Sequence, residues 1–270
     1  LKSVGYRTFY NCGSLTSIII PNSVTTIGED AFYKCSSLTS IIIPDNVTSI
    51  GNSAFSGCSS LTSVTLSENL KSVGYRTFYN CGSLTSIIIP NSVTIIDSSA
   101  FEGCSSLTSV TLSENLKSIG YKTFYNCNSL TNIIIPNNVT TIGEDAFYSC
   151  SSLTSITLSK NLESIRKYAF GRCNSLTDIT IPDSVTTIGE SAFSGCSSLK
   201  TIYCETESKP VDWNNDWIYN CNAAIVWGYI KNGEYNGFTY AIQKLQNETS
   251  VIITGYIGSN TEITIPSEIE

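Results

Sequence analysis

The residues with most chemistry to offer are eleven cysteines. Nine of them, Cys12, Cys35, Cys58, Cys81, Cys104, Cys127, Cys150, Cys173 and Cys196, stand 23 residues apart without a slip. A thiol can pair, ligate a metal or attack an electrophile. The chain has no histidine, so neither a Cys-His nor a Ser-His pair can form. Zinc would lack both an imidazole and a paired Cys-x-x-Cys. A cysteine that returns among apolar neighbours at one point of every repeat behaves as a small buried hydrophobe. Stacked repeats would set adjacent rungs about 4.8 Å apart, near enough for a disulfide, but parallel side chains do not favour one. Free, inert thiols are expected. Outside the ladder, a Cys204–Cys221 bridge stays open. No phosphate-binding loop is present. A carboxylate pair like those of solenoid glycosidases is the remaining catalytic option, and no recurring Asp/Glu cluster supports it. The expectation is a protein that is not an enzyme, with no cofactor and no metal.

Recognition is the other chemistry on offer. Two rows of residues alternate with apolar ones in each repeat and should face solvent. Seven residues after each cysteine the row reads Ile19, Ile42, Thr65, Ile88, Thr111, Ile134, Thr157, Thr180, Tyr203. Five residues after it stand Ser17, Ser40, Ser63, Ser86, Ser109, Asn132, Ser155, Asp178 and Thr201. An exposed Ile/Thr stripe of that length suits a partner. Strand propensity alone also selects Ile and Thr. The binding residues expected from these rows are Ile19, Ile42, Thr65, Ile88, Thr111, Ile134, Thr157, Asp178, Thr180 and Tyr203. Charged residues such as Glu29, Asp30, Arg76, Lys122, Glu144, Asp145, Lys167 and Glu190 collect elsewhere and read as a solvated ridge. Asn46, Asn138 and Asn247 open weak glycosylation tripeptides.

The elements that position these rows follow from the 23-residue period, the mark of a solenoid. Counting from each cysteine, apolar residues fall at offsets +3, +6, +8, +12, +15 and +20. The last is Phe in all nine cases, from Phe9 to Phe193. Offsets +6 and +8 share one face of a short strand, which Pro at +9 ends. Val-Thr-x-Ile reads as a second short strand or extended stretch. Gly at +16 (Gly28, Gly51, Gly74, Gly120, Gly143, Gly189) is expected to turn the chain at positive φ; Asp97 tolerates that and Arg166 does not. Glu29-Asp30-Ala31-Phe32 suits one helical turn with acids at its positive end. Residues 1–25 and 70–94 are identical. That redundancy fits block duplication better than a tailored catalytic pocket.

Charged residues make up 14% of the chain and the net charge is −7, which argues against nucleic acid and anionic membrane as partners. No apolar run reaches the ~18 residues of a membrane span. The absence of Met, and Leu1 falling mid-repeat, suggest a piece of a longer protein. The array is expected over 1–203. A cap over 204–228 comes next, where Trp213, Trp217 and Trp227 cluster; an aromatic ligand site is the alternative. A β-rich segment over 229–270 carries hairpin-like strands at Phe238–Ile242 and Val251–Thr254. Thr261 to Pro266 looks like the opening of a second array.

The units Cys-Ser-Ser-Leu-Thr-Ser-Ile-x-Ile-Pro and Val-Thr-x-Ile-Gly-x-x-Ala-Phe closely resemble the BspA-like leucine-rich repeats, over nearly all of residues 1–203. The resemblance implies a right-handed, curved repeat solenoid, a leucine-rich-repeat coil of 23-residue units, β-rich with short helical turns. It also implies a cell-surface or secreted place and adhesion to host, matrix or microbial surface proteins or glycans through the concave sheet. No family residue is an established site to carry over. A monomer without membrane insertion is expected. A passive spacer displaying other domains is the competing reading. An ice-binding Thr array is a distant third, because Ile interrupts the Thr row.

Overall fold

The computed structural model describes residues 1–235, 238–245 and 248–256. Each 23-residue unit forms one coil, and successive coils pair in parallel at a shift of 23 residues. Two strands per coil carry this pairing. The longer covers offsets +5 to +7, as in Ser40–Ile42 and Ser63–Thr65. The shorter covers +14 and +15, as in Thr26–Ile27 and Ser49–Ile50. Pro44 closes the longer strand, and its carbonyl accepts the Val47 amide at 2.9 Å, so the chain turns toward the shorter strand.

The predicted inward rows form the core. In the coil that starts at Cys35, Leu38, Ile41, Ile43, Val47, Ile50 and Phe55 are all buried. The phenylalanines make one continuous stack from Phe9 to Phe193, with eight successive ring pairs 5.1–5.5 Å apart and near parallel. A single coil exposes both ends of every such row, so the rows acquire their stability only by stacking.

All eleven cysteines are free. From Cys35 to Cys196 each ladder thiol does more than fill space. Its Sγ donates to the carbonyl of the Phe 26 residues before it, at 3.0–3.3 Å. That carbonyl already accepts the amide of the cysteine three residues after it, as Phe32 does from Cys35 at 3.1 Å. The thiol therefore occupies the second lone pair of a carbonyl sealed in the core. Burial pushes the thiols up, Cys35 to about 11 and Cys58 and Cys104 to about 12.

Two expectations at the turns need correction. The segment around Asp30 contains no helix. It is a run of tight turns with positive φ at offsets +18 and +22, as at Asp30 (54°) and Lys34 (56°). Alternate amides close turns within the coil, Tyr33 N–H to Asp30 O at 3.0 Å. The amides between them reach the next coil, Phe32 N–H to Ala54 O at 2.7 Å. A helix would keep all its amides inside the coil and lose that bonding. The +16 glycines do not have positive φ. They are small because coils touch there: a Cβ on Gly28 would lie 2.7 Å from the Gly5 carbonyl carbon. Asp97 and Arg166 sit at this offset without positive φ, so a side chain is accommodated there in some coils; the approach is looser at Gly120, where a Cβ would find its nearest neighbour at 3.3 Å.

After Cys196 the rows change occupant. Trp213 comes after a two-residue insertion and stands where other coils place Ile at +15. Trp217 stands in the row of Ala192, and its carbonyl accepts the Phe193 amide as Ala192 accepts that of Phe170. Ala224–Trp227 pairs in parallel with Thr201–Cys204, which sets Trp227 opposite Cys204. Trp213 and Trp217 are buried, and the Trp213 indole N–H donates to Val185 O at 3.1 Å. Trp217 meets Phe193 edge-on and ends the parallel stack. Beyond it, Tyr229–Tyr235, Phe238–Leu245 and Glu248–Tyr256 form an antiparallel three-stranded sheet. The expected second-array opening at Thr261 to Pro266 lies outside the described residues.

Candidate functional site

From Ile42 onward the predicted binding residues stand on the longer strands, each paired with a neighbour, while Ile19 lies outside any strand. Ile19, Ile42, Ile88 and Ile134 are 91%, 70%, 67% and 69% exposed, very high for isoleucine. Thr65, Thr111 and Thr157 between them are exposed as well, and so is Asp178. Thr180 and Tyr203 are half-buried. Tyr203 is covered because its ring packs on Tyr229, centroids 4.4 Å apart. The structure thus brings Ile19 through Thr157 into one open stripe and sets Asp178, Thr180 and Tyr203 at its far end.

The stripe is corrugated, which the sequence rows do not reveal. Strand Ser40–Ile42 pairs with Ser63–Thr65, Ser86–Ile88 with Ser109–Thr111, and Asn132–Ile134 with Ser155–Thr157. Between these pairs the sheet opens. A cleft of about 210 Å³ lies at one seam, floored by Val64 and Ile87 and edged by Thr65, Ile88 and Pro90. A larger one of about 420 Å³ lies between Thr157 and Thr180, edged by Asp178 and Glu205. Partial burial raises the Glu205 carboxyl, and the Asp183 amide donating to it opposes that rise. Ile19 and Ile42 stand one coil apart, and Ile42, Ile88 and Ile134 follow at two-coil steps, roughly 10 Å at the parallel-strand spacing.

A second arrangement lies on the turn side, where the sequence shows only charges. Arg7, Arg76 and Lys122, all at offset +18, sit over tyrosine rings on both sides. Arg76 lies 5.0 Å from Tyr75 and 4.8 Å from Tyr79, and Lys122 5.0 Å from Tyr121 and 4.8 Å from Tyr125. Arg7 also bonds Asp30 at 2.9 Å, and Lys167 bonds Glu190 at 2.7 Å. The repeated Tyr-Arg-Thr-Phe-Tyr and Tyr-Lys-Thr-Phe-Tyr strings were the available signal, since they place two tyrosines around one cation. Among the described residues no group of three His, Cys, Asp or Glu is placed to hold a metal, and no helix is long and apolar enough to cross a membrane.

The sequence matches the family model described as the BspA type leucine-rich repeat region, six copies, over residues 2–129, 71–200 and 117–224. No curated protein matches it. Among solved structures it is similar to a leucine-rich repeat protein from Bacteroides ovatus, 29% identical, covering 79% of this chain and 66% of that one, with a TM-score of 0.47. The T. pallidum leucine-rich repeat protein is 27% identical over 68% of this chain and 78% of its own, TM-score 0.49. A leucine-rich cell surface protein from Faecalibacterium prausnitzii is 26% identical over 84% and 83%, TM-score 0.42.

Proposed function

The chain belongs to the BspA-type leucine-rich repeat family, and on that premise we propose that it is a cell-surface or secreted binding module. Its partners would be host, matrix or microbial surface proteins or glycans, engaged through the exposed face of the longer strands. The observation that carries the reading is the row Ile19, Ile42, Ile88 and Ile134, each at least two-thirds exposed and the last three on paired strands. An isolated exposed apolar residue is ordinary, but a periodic stripe with polar edges and clefts between its knobs is what an interface core needs. The array over 1–203 would do the binding. Residues 204–228 would close its core, supported by tryptophans in three inward rows. Residues 229–270 would open a second array.

The test is retention of partners. The protein at micromolar concentration should bind at least one of a set of immobilised matrix proteins, microbial surface proteins and glycans. Replacing Ile42, Ile88 and Ile134 together by Ser should remove that binding while the fold persists. Retention by none of the set would overturn the reading. Full binding by the triple variant would move the site to another face, and retention by none would leave the passive spacer in its place.

A further inference from the structure

Beside the buried phenylalanines runs an outer row at offset +21: Tyr10, Tyr33, Ser56, Tyr79, Glu102, Tyr125, Tyr148, Gly171, Ser194. Tyr125 and Tyr148 stack at 5.3 Å with an 8° interplanar angle. The next two coils offer Gly171 and Ser194, and the stack stops. Tyr148 leans across Gly171, where a Cβ would come within 2.5 Å of its ring. Tyr168 stands at 88° to Tyr148, centroids 6.1 Å apart, and makes a corner with it. The space left open is a cleft of about 500 Å³ that also reaches Glu144, Asp145, Arg172 and Asn220. This volume lies within the range of small-molecule sites.

We propose that this cleft binds a neutral, pyranose-containing oligosaccharide, on a different surface from the isoleucine stripe. The lining sets the ligand class. Two carboxylates disfavour an anion. A ligand cation is disfavoured because Lys122, Lys167 and Arg172 already lie over Tyr125, Tyr168 and Tyr148 at 4.8, 5.1 and 5.6 Å. A purely apolar guest would strand the charged side chains without partners. A sugar satisfies both halves of the lining. Its C–H groups can pack against the half-exposed edges of Tyr148 and Tyr168, and neighbouring hydroxyls can donate to carboxylates and accept from a guanidinium or amide. Among the described residues neither Glu144 nor Arg172 has an ion-pair partner, and Asp145 meets Lys122 only at 4.0 Å. Their hydrogen-bonding capacity is free for hydroxyls. Burial raises the Asp145 carboxyl, and the nearby Lys122 opposes that rise.

The experiment is a saturation-transfer NMR and calorimetric titration of the whole chain with lactose, maltotriose and N,N′-diacetylchitobiose, with choline and inorganic phosphate as counter-probes. At least one sugar should bind saturably, and neither counter-probe more tightly. The decisive variant is Ser194→Tyr, which adds a ring to the row and fills the cleft; of the lining it removes the Ser194 hydroxyl alone and leaves the charged and aromatic groups in place. It should weaken sugar binding at least about tenfold. Arg172→Asn should weaken it similarly; Asn keeps the left-handed backbone at that position comfortable (φ 57°). The triple isoleucine variant should bind sugar normally, which separates this site from the sheet face. No saturable sugar binding up to about 10 mM, tighter choline or phosphate binding, or an unaffected Ser194→Tyr variant would each overturn the proposal.

Discussion

Two aromatic rows run side by side through this molecule, one residue apart in sequence. The phenylalanine row is unbroken through nine coils. The tyrosine row next to it is interrupted at Ser56, Glu102, Gly171 and Ser194. Inside, a missing ring would leave a void between two coils at once, so the position has no freedom. Outside, water fills a gap at little cost. The same duplication history therefore leaves the inner row uniform and the outer one varied, and variation there shapes surface without endangering the fold.

The largest test of the inner rows is alkaline pH. Cys81, Cys104, Cys127, Cys150 and Cys173 are sealed in the core, and desolvation raises every one of them, Cys104 to about 12. Unfolded thiols release their protons from about pH 9, so above that pH the unfolded chain binds fewer protons than the folded one. Stability then falls as pH rises. By pH 10 each such thiol costs about 1.4 kcal/mol, and five together outweigh any single substitution. Urea midpoints should drop steeply between pH 9 and 11. Midpoints unchanged across that window would show that the thiols are not buried as described.

Next in size is the direct contrast of neighbours. Phe124 stacks on both Phe101 and Phe147, so Phe124→Ala should cost about 3–5 kcal/mol. Tyr125, half-buried and stacked on Tyr148, should cost only about 0.5–1.5 kcal/mol as Tyr125→Ala. Equal losses in chemical denaturation would erase the distinction between the rows. Trp217→Ala addresses the end of the inner row. It should cost about 3–5 kcal/mol, and hydrogen exchange should rise first in the coil of Phe193 rather than in that of Phe101.

Much of this was legible in the sequence, because the 23-residue period repeats each inward row nine times and so averages out local ambiguity. The outward Ile/Thr row followed from strand alternation alone. What stayed hidden depends on contact between coils. Asp30 could be read as a helix start because its left-handed conformation is stabilised by bonding to the coil ahead, which no local pattern encodes. Gly28 could be read as a positive-φ turn because a close approach to Gly5 and a backbone need select the same residue. The seams between strand pairs, and the cleft beside Tyr148, arise from what the neighbouring coil lacks.

The smallest expected effect lies on the sheet face. Ile88 is flanked across the coils by Thr65 and Thr111, and its side chain is two-thirds exposed. Changing it to Thr keeps a β-branched residue suited to a strand and exposes no new cavity. The stability change should stay within about 0.5 kcal/mol. Its effect should instead be on partner binding, because it removes the middle knob of Ile42, Ile88 and Ile134, which stand two coils apart. A Thr65→Ile change adds a knob between Ile42 and Ile88 at the same low cost to the fold. If both variants keep full stability and only binding responds, the face is free to carry specificity. If either loses more than about 1 kcal/mol, the alternation serves sheet packing, and the outward row is as constrained as the phenylalanines beneath it.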